Sequence, residues 1–199
     1  NVDCNVPKFL SELKYFNVMN GLGPLELNTT NGDLNDSDGN SISLKGIAFS
    51  KGLGVSGNSS ISYYLPVGNE NKFFSAKIGI SDDVPISCNN TAGLIFKIYG
   101  DENLIYTSNT LNRASETQNV DLFIGNYSKL RLETQAPTAS SACNNGVWAD
   151  AKIFCNPYPV RNLTLSDPLV SCLTFNWTAP VLLNEIQGYK IYKDNFYVT

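Results

Sequence analysis

The chain has 199 residues, with 14 Lys and Arg against 18 Asp and Glu for a net charge of −4, 42% hydrophobic residues, five Cys and no His. Without an imidazole there is no Ser-His-Asp or Cys-His machinery and no His-ligated zinc or haem, and an acidic chain lacks the basic footprint that a phosphate backbone requires, which argues against nucleic acid. No run reaches the roughly 18 consecutive apolar residues of a membrane span, and the length suits one or two domains with a real core.

In chain order, Asn1 to Val6 are polar and include Cys4, so they read as a mature start rather than a signal peptide. From Pro7 to Phe16, the spacing of Phe9, Leu10 and Leu13, with Pro at the first helical position, predicts a turn or two of helix. Thereafter the period is that of strands. Short alternating runs rich in Ile, Phe and Tyr cover residues 42–45, 60–65, 73–80, 94–99, 104–106, 120–124, 129–132 and 148–154. Clusters of Gly, Asn and Asp separate them, as at Asn31-Gly-Asp, Asp38-Gly-Asn, Gly100-Asp-Glu-Asn and Asn144-Asn-Gly. Turn signals every 8–12 residues or so predict an all-β, antiparallel sandwich or jelly roll, because a parallel sheet would need long crossover helices. Asn156-Pro-Tyr-Pro159 closes the pattern and marks a linker, dividing the chain into residues 1–156 and 157–199.

The cysteines stand at 4, 88, 143, 155 and 172, none in a C-x-x-C spacing, and wide spacing without metal partners favours disulfides and an oxidising compartment. Glycosylation sequons begin at Asn28, Asn35, Asn58, Asn89, Asn126, Asn162 and Asn176, which agrees with a secreted or cell-surface glycoprotein.

An ordered set of motifs over the first 155 residues resembles the NPCBM family, a group of carbohydrate-binding modules that includes galactose-binding modules appended to glycoside hydrolases. The resemblance is carried by Phe9-Leu-Ser-Glu-Leu13, Asn20-Gly-Leu-Gly-Pro-Leu-Glu26, Leu44-Lys-Gly46, Lys51-Gly-Leu-Gly-Val55, Ser60-Ile-Ser-Tyr63 and Phe74-Ser-Ala-Lys-Ile-Gly-Ile-Ser-Asp-Asp83. It continues through Phe96-Lys-Ile-Tyr-Gly-Asp101, Leu104-Ile-Tyr-Thr-Ser108 and Val120-Asp121 to Trp148-Ala-Asp-Ala151. It implies a galactose-binding-like β-sandwich and a lectin-like, non-catalytic role. Residues 159–199 resemble the opening of a fibronectin type III domain, an immunoglobulin-like fold, with Leu173, Phe175 and Trp177 sharing parity as an inward row.

Sugar binding of this kind uses an apolar face for the ring's C–H surface and planar polar side chains for its hydroxyls. Trp148 is a platform or a core residue; Asn20 and Glu26 flank the glycine-proline turn as hydroxyl partners or as turn structure. The family pattern places a His after the Gly-Leu-Gly-Val segment and another before the Trp. Here Ser56-Gly57 and Cys143-Asn-Asn-Gly-Val147 stand there, which leaves Lys51, Ser56, Asn144 and Asn145 as binding candidates for a galactose-type or other terminal sugar. Asp82 and Asp83 with Asp101 offer oxygen ligands for a structural Ca²⁺, or are solvated turn residues. Four cysteines fall within the module and permit three connectivities. Pairing the two ends and the two Asn-rich loops gives Cys4–Cys155 and Cys88–Cys143, with the partner of Cys172 open. Besides carbohydrate, the odd Cys and the loss of both His residues leave room for protein partners in a modular extracellular assembly.

Overall fold

A computed structural model describes residues 6–32, 34–66, 72–89, 93–137 and 143–155, together with strand segments at 161–166, 174–178, 191–193 and 196–198. The strands in chain order are β1 (Lys8–Phe9), β2 (Asn17–Met19), β3 (Glu26–Leu27), β4 (Ser43–Leu44), β5 (Ile47–Ala48), β6 (Gly52–Ser56), β7 (Ser59–Tyr64), β8 (Lys72–Ile80) and β9 (Ile95–Gly100). They continue as β10 (Asn103–Thr107), β11 (Gln118–Phe123), β12 (Lys129–Gln135), β13 (Asn145–Cys155), β14 (Arg161–Ser166), β15 (Thr174–Thr178), β16 (Ile191–Lys193) and β17 (Phe196–Val198).

All strand pairs are antiparallel, as the turn spacing anticipates. One sheet runs β16-β17-β11-β8-β13-β6-β3, with β1 also on β13; the other runs β10-β9-β12-β7-β2. The alternation read from the sequence is the packing. Phe74, Ala76, Ile78 and Ile80 of β8 point inward from the first sheet and meet Phe96 and Ile98 of β9 and Leu130 and Leu132 of β12 from the second, in one core that also holds Trp148. Burying each of the Phe, Ile and Leu side chains here is worth about 1.5–3 kcal/mol. A smaller apolar cluster, Ile42, Leu44, Val147 and Ala149, seals the outer face of β13 beneath the β4–β5 hairpin, so the first half of β13 is buried on both sides.

β13 changes parity midway. Trp148 is buried, but so are Ala151 and Ile153, because the register with β8 slips between Ala149 and Lys152, and Asp150 takes φ 52° there. An extra residue of this kind re-aims every later side chain on the strand.

The helix expected over Pro7 to Phe16 is not formed. Lys8 and Phe9 pair with Ile153 and Lys152 of β13, and only a single 3-10 turn follows, Leu10–Glu12, between extended residues Phe9 and Leu13. Its apolar residues still serve the core, with Leu10 fully buried. Pairing with a sheet satisfies the backbone here more completely than a short isolated helix would.

Cys4, Cys172 and the linker residues Asn156 to Pro159 lie outside the described residues, as does Leu173 of the expected fibronectin row. Within that segment β14 pairs with β15, and β17 joins the first sheet with Phe196 opposite Leu122 of β11. Trp177 is 37% exposed, so the expected inward row is not closed at this residue.

Candidate functional site

Strands of both sheets end together. β6 finishes at Ser56, β7 starts at Ser59, β8 finishes at Ile80 and β13 starts at Asn145, with Ser56 opposite Asn145 and Gly146 opposite Ile80. The connections at this end bring together the sequence motifs around residues 20–26, 56–57, 81–83 and 143–148 that the chain keeps far apart.

Residues 143–145 join them. Cys143 is disulfide-bonded to Cys88, the pairing expected between the two Asn-rich loops, with Cα atoms 5.5 Å apart. The carbonyl of Asn144 accepts the Gly57 N–H at 2.9 Å, and its Oδ1 accepts the Gly93 N–H at 3.1 Å. The Asn145 carbonyl accepts the Ser81 N–H at 3.0 Å, and its Nδ2 donates to the Asn31 carbonyl at 3.4 Å.

Asn20 performs the equivalent task across the gap. Its Nδ2 donates to the carbonyls of Leu22, Gly23 and Pro24 at 2.8, 3.2 and 2.8 Å, and its Oδ1 accepts the Ser56 N–H at 2.9 Å. Asn31 Nδ2 donates to the same Leu22 and Pro24 carbonyls. The neighbouring Gly21 N–H meets the Ser56 carbonyl at 2.9 Å, and a Cβ at Gly21 would stand 2.5 Å from that oxygen, so only glycine admits this approach.

Two of these groups retain unused hydrogen-bonding capacity. Ser56 and Asn144 are 0% exposed, and Ser56 Oγ and Asn144 Nδ2 have no hydrogen-bond partner among the described residues. A buried donor or acceptor left this way costs about 1–3 kcal/mol, which a buried water supplying the missing bond would return. Around them the chain exposes Leu22 and Ile86. Amides, hydroxyls and backbone groups with small apolar surfaces suit a neutral, hydroxyl-rich ligand.

Other expected site residues have different work. Glu26 is fully buried, and its carboxylate accepts the Thr29 hydroxyl at 3.0 Å and the Ser37 N–H at 2.9 and 3.1 Å, so it holds the 28–37 loop rather than a ligand. Trp148 is no platform. It lies wholly in the core, edge-on to Phe96 with ring centroids 5.0 Å apart. Lys51 precedes β6 and pairs with Glu12 at 2.7 Å, about 17 Å along the strand from Ser56 by strand rise.

The expected calcium ligands are not gathered. Asp82 accepts the Lys45 and Gly46 N–H groups at 3.0 and 2.8 Å and pairs with Arg113 at 3.1 Å. Burial pushes its carboxyl up, but the Gly46, Ser43 and Lys45 hydrogen bonds and the Arg113 charge outweigh that and hold it below the usual carboxylate range. Asp83 accepts the Thr30 hydroxyl at 2.5 Å. Asp101 sits at the other end of the sandwich, beyond the length of β9, where it accepts the Ser128 and Lys129 N–H groups. Among the described residues no three His, Cys, Asp or Glu side chains form a metal-binding group.

Of the sequon residues, Asn35, Asn58 and Asn126 are exposed. Asn28 and Asn58 use Oδ1 to accept the Gly52 and Ala136 N–H groups; Asn89 follows the 3-10 turn at Ile86–Cys88, and Asn162 and Asn176 lie on β14 and β15. Cys155 is disulfide-bonded, to a partner outside the described residues.

The sequence reading missed Asn31, Gly57, Ser81 and Gly93, whose contacts are made by backbone atoms or by an amide inside a turn cluster. Asn31 was legible only as a turn residue, in Asn31-Gly-Asp.

Comparison with solved structures gives the same sandwich. The CBM51 of a Clostridium perfringens GH95 protein in complex with methyl-galactose superposes with a TM-score of 0.65 at 23% identity, over 74% of this chain and 99% of that one. The CBM51-2 and INT domains of C. perfringens ZmpB, in complex with GlcNAc, give 0.66 at 21% identity, over 77% of this chain and 32% of that one. Among curated proteins, a Renibacterium salmoninarum protein described as "Putative endo-alpha-N-acetylgalactosaminidase" is 34% identical over 154 residues, 75% of this chain. The chain spans only 10% of that relative's length. Residues 7–154 match the NPCBM/NEW2 domain, and with the strands, the motif order and the sandwich in agreement, the chain belongs to the NPCBM family.

Proposed function

We propose that this chain is the carbohydrate-binding module of a larger, extracellular protein, and that it holds a terminal galactose-type sugar or its N-acetylated relative, without catalysing a reaction, at the end of the sandwich where Ser56 and Asn144 converge. The observation that carries this reading is the convergence, at one end of the sandwich, of the loop segments around residues 20–26, 56–57, 81–88 and 143–145, tied together through Asn20, Asn144, Asn145 and the Cys88–Cys143 disulfide. Methyl-galactose and GlcNAc in the complexes of similar fold, and the N-acetylgalactosaminidase description of the relative, support a hexose of this class. Residues 157–199 would form the start of a fibronectin type III spacer, and the exposed sequons would carry glycans.

A glycan array probed with the whole chain tests this. We expect signal on galactose-, GalNAc- or GlcNAc-terminated glycans, unchanged by adding or chelating Ca²⁺, and a loss of about tenfold in affinity for Asn144→Ala, a hydrogen bond's worth. A second reading, protein contact in an extracellular assembly, is favoured by one observation. β2 is an open sheet edge with Val18 and Met19 exposed, beside the stacked and exposed pair Phe16 and Tyr64. An array without signal, together with self-association that Met19→Lys abolishes, would select that reading instead.

A further inference from the structure

The Cys88–Cys143 disulfide joins residues 55 apart in sequence, and a link of this kind stabilises a fold chiefly by constraining the unfolded chain. Its position is more specific than that. Cys88 ends the short 3-10 turn Ile86–Cys88, in a connection that starts by giving the Ser81 N–H to the Asn145 carbonyl. Cys143 is the residue immediately before Asn144. The same Asn144 takes the N–H groups of Gly57 and Gly93, from the connection between β6 and β7 and from the approach to β9. Three consecutive residues therefore tie the 81–88 connection by a covalent bond on one side and by hydrogen bonds on the other.

We infer that the Cys88–Cys143 disulfide is the positioning element of the carbohydrate site: it fixes buried Asn144 and, through the Gly57 and Gly93 N–H groups that end on it, the loop ends that a sugar meets. This rests on the carbohydrate reading above. The physical reason is entropic. Hydrogen bonds at a loop end, each small in net worth, fray readily, whereas a covalent bond does not. Without it, a sugar would have to order the 81–88 connection and residue 144 together when it bound, and that cost appears as lost affinity.

The experiment compares the whole chain with its Cys88→Ser/Cys143→Ser variant, which leaves the Cys155 disulfide intact as a reducing agent would not. Affinity for the strongest array glycan is measured by calorimetry at 10 °C, with far-UV circular dichroism establishing that the variant is folded there. In parallel, amide hydrogen exchange is read at Gly57 and Gly93, whose N–H groups end on Asn144, and at Ile98 in the middle of β9. We expect about tenfold weaker binding, faster exchange at Gly57 and Gly93, unchanged exchange at Ile98, and little additional loss when Asn144→Ala is added to the double variant. A merely structural staple would lower the melting temperature and leave affinity at 10 °C within twofold of the parent; that result overturns the inference, as does unchanged exchange at Gly57 and Gly93. A parent chain that binds no glycan would overturn the carbohydrate reading instead, and the exchange measurement would still decide whether the disulfide fixes Asn144.

Discussion

Asn20 satisfies four backbone groups with one side chain, three carbonyls of the glycine-proline turn and the N–H of Ser56. An amide is the side chain that can both donate and accept in this way, and aspartate would set a carboxylate against three carbonyl oxygens. Replacing Asn20 by Ala should destabilise the fold by about 1–3 kcal/mol, read as a lower urea midpoint, and Asn20→Asp should cost at least as much above pH 5. Asp82 gives a prediction with a definite sign. Its carboxyl titrates lower in the folded chain than in the unfolded one, so its contribution is full above the unfolded value near 4 and is lost as pH falls through the lower folded value. Thermal melts between pH 7 and 2.5 should therefore show a steeper acid loss for the parent than for Asp82→Asn.

At the scale of elements, β13 depends on one residue of unusual backbone. Asp150 at φ 52° creates the slip that lets Trp148 and Ile153 both face the core, although an unbroken strand would put them on opposite sides. Asp150→Val should cost more than about 1 kcal/mol, since a β-branched side chain resists that conformation, whereas Asp150→Gly should be close to neutral. Urea unfolding of both variants checks this. Strands with ordinary patterns were legible in the sequence, and β8, β9 and β12 stand within a few residues of where alternation puts them. β6 was not read as a strand because Gly52 and Gly54 have no strand propensity. Its glycines serve proximity instead, since a Cβ at Gly54 would lie 2.5 Å from the Thr29 carbonyl oxygen. The helix near Leu10 failed for the opposite reason, a local pattern overridden by pairing with β13. Ser56, Asn144 and Asn145 could be named from motif positions alone, but that Glu26 and Trp148 are interior was a matter of tertiary placement that spacing does not carry.

For the whole molecule, the absence of His bears on the conditions under which it works. The site offers amides, a hydroxyl and backbone groups, none of which changes charge between pH 5.5 and 8.5, where a family member using histidine would respond. Sugar affinity should stay within twofold across that interval by calorimetry, and a bell-shaped or sigmoidal dependence would show that a titrating group outside this set takes part.

β13 has a further consequence. It begins at Asn145 beside Ser56 and ends at Cys155, from which the chain runs on toward residue 199, and its 11 residues span about 33 Å. The pairing of the later chain with this body, Phe196 opposite Leu122, lies next to Phe74 and so toward the Cys155 end. The candidate site and the junction with the later chain thus lie at opposite ends of one strand. A tether leaving at Cys155 would therefore stand a full strand length from the candidate site.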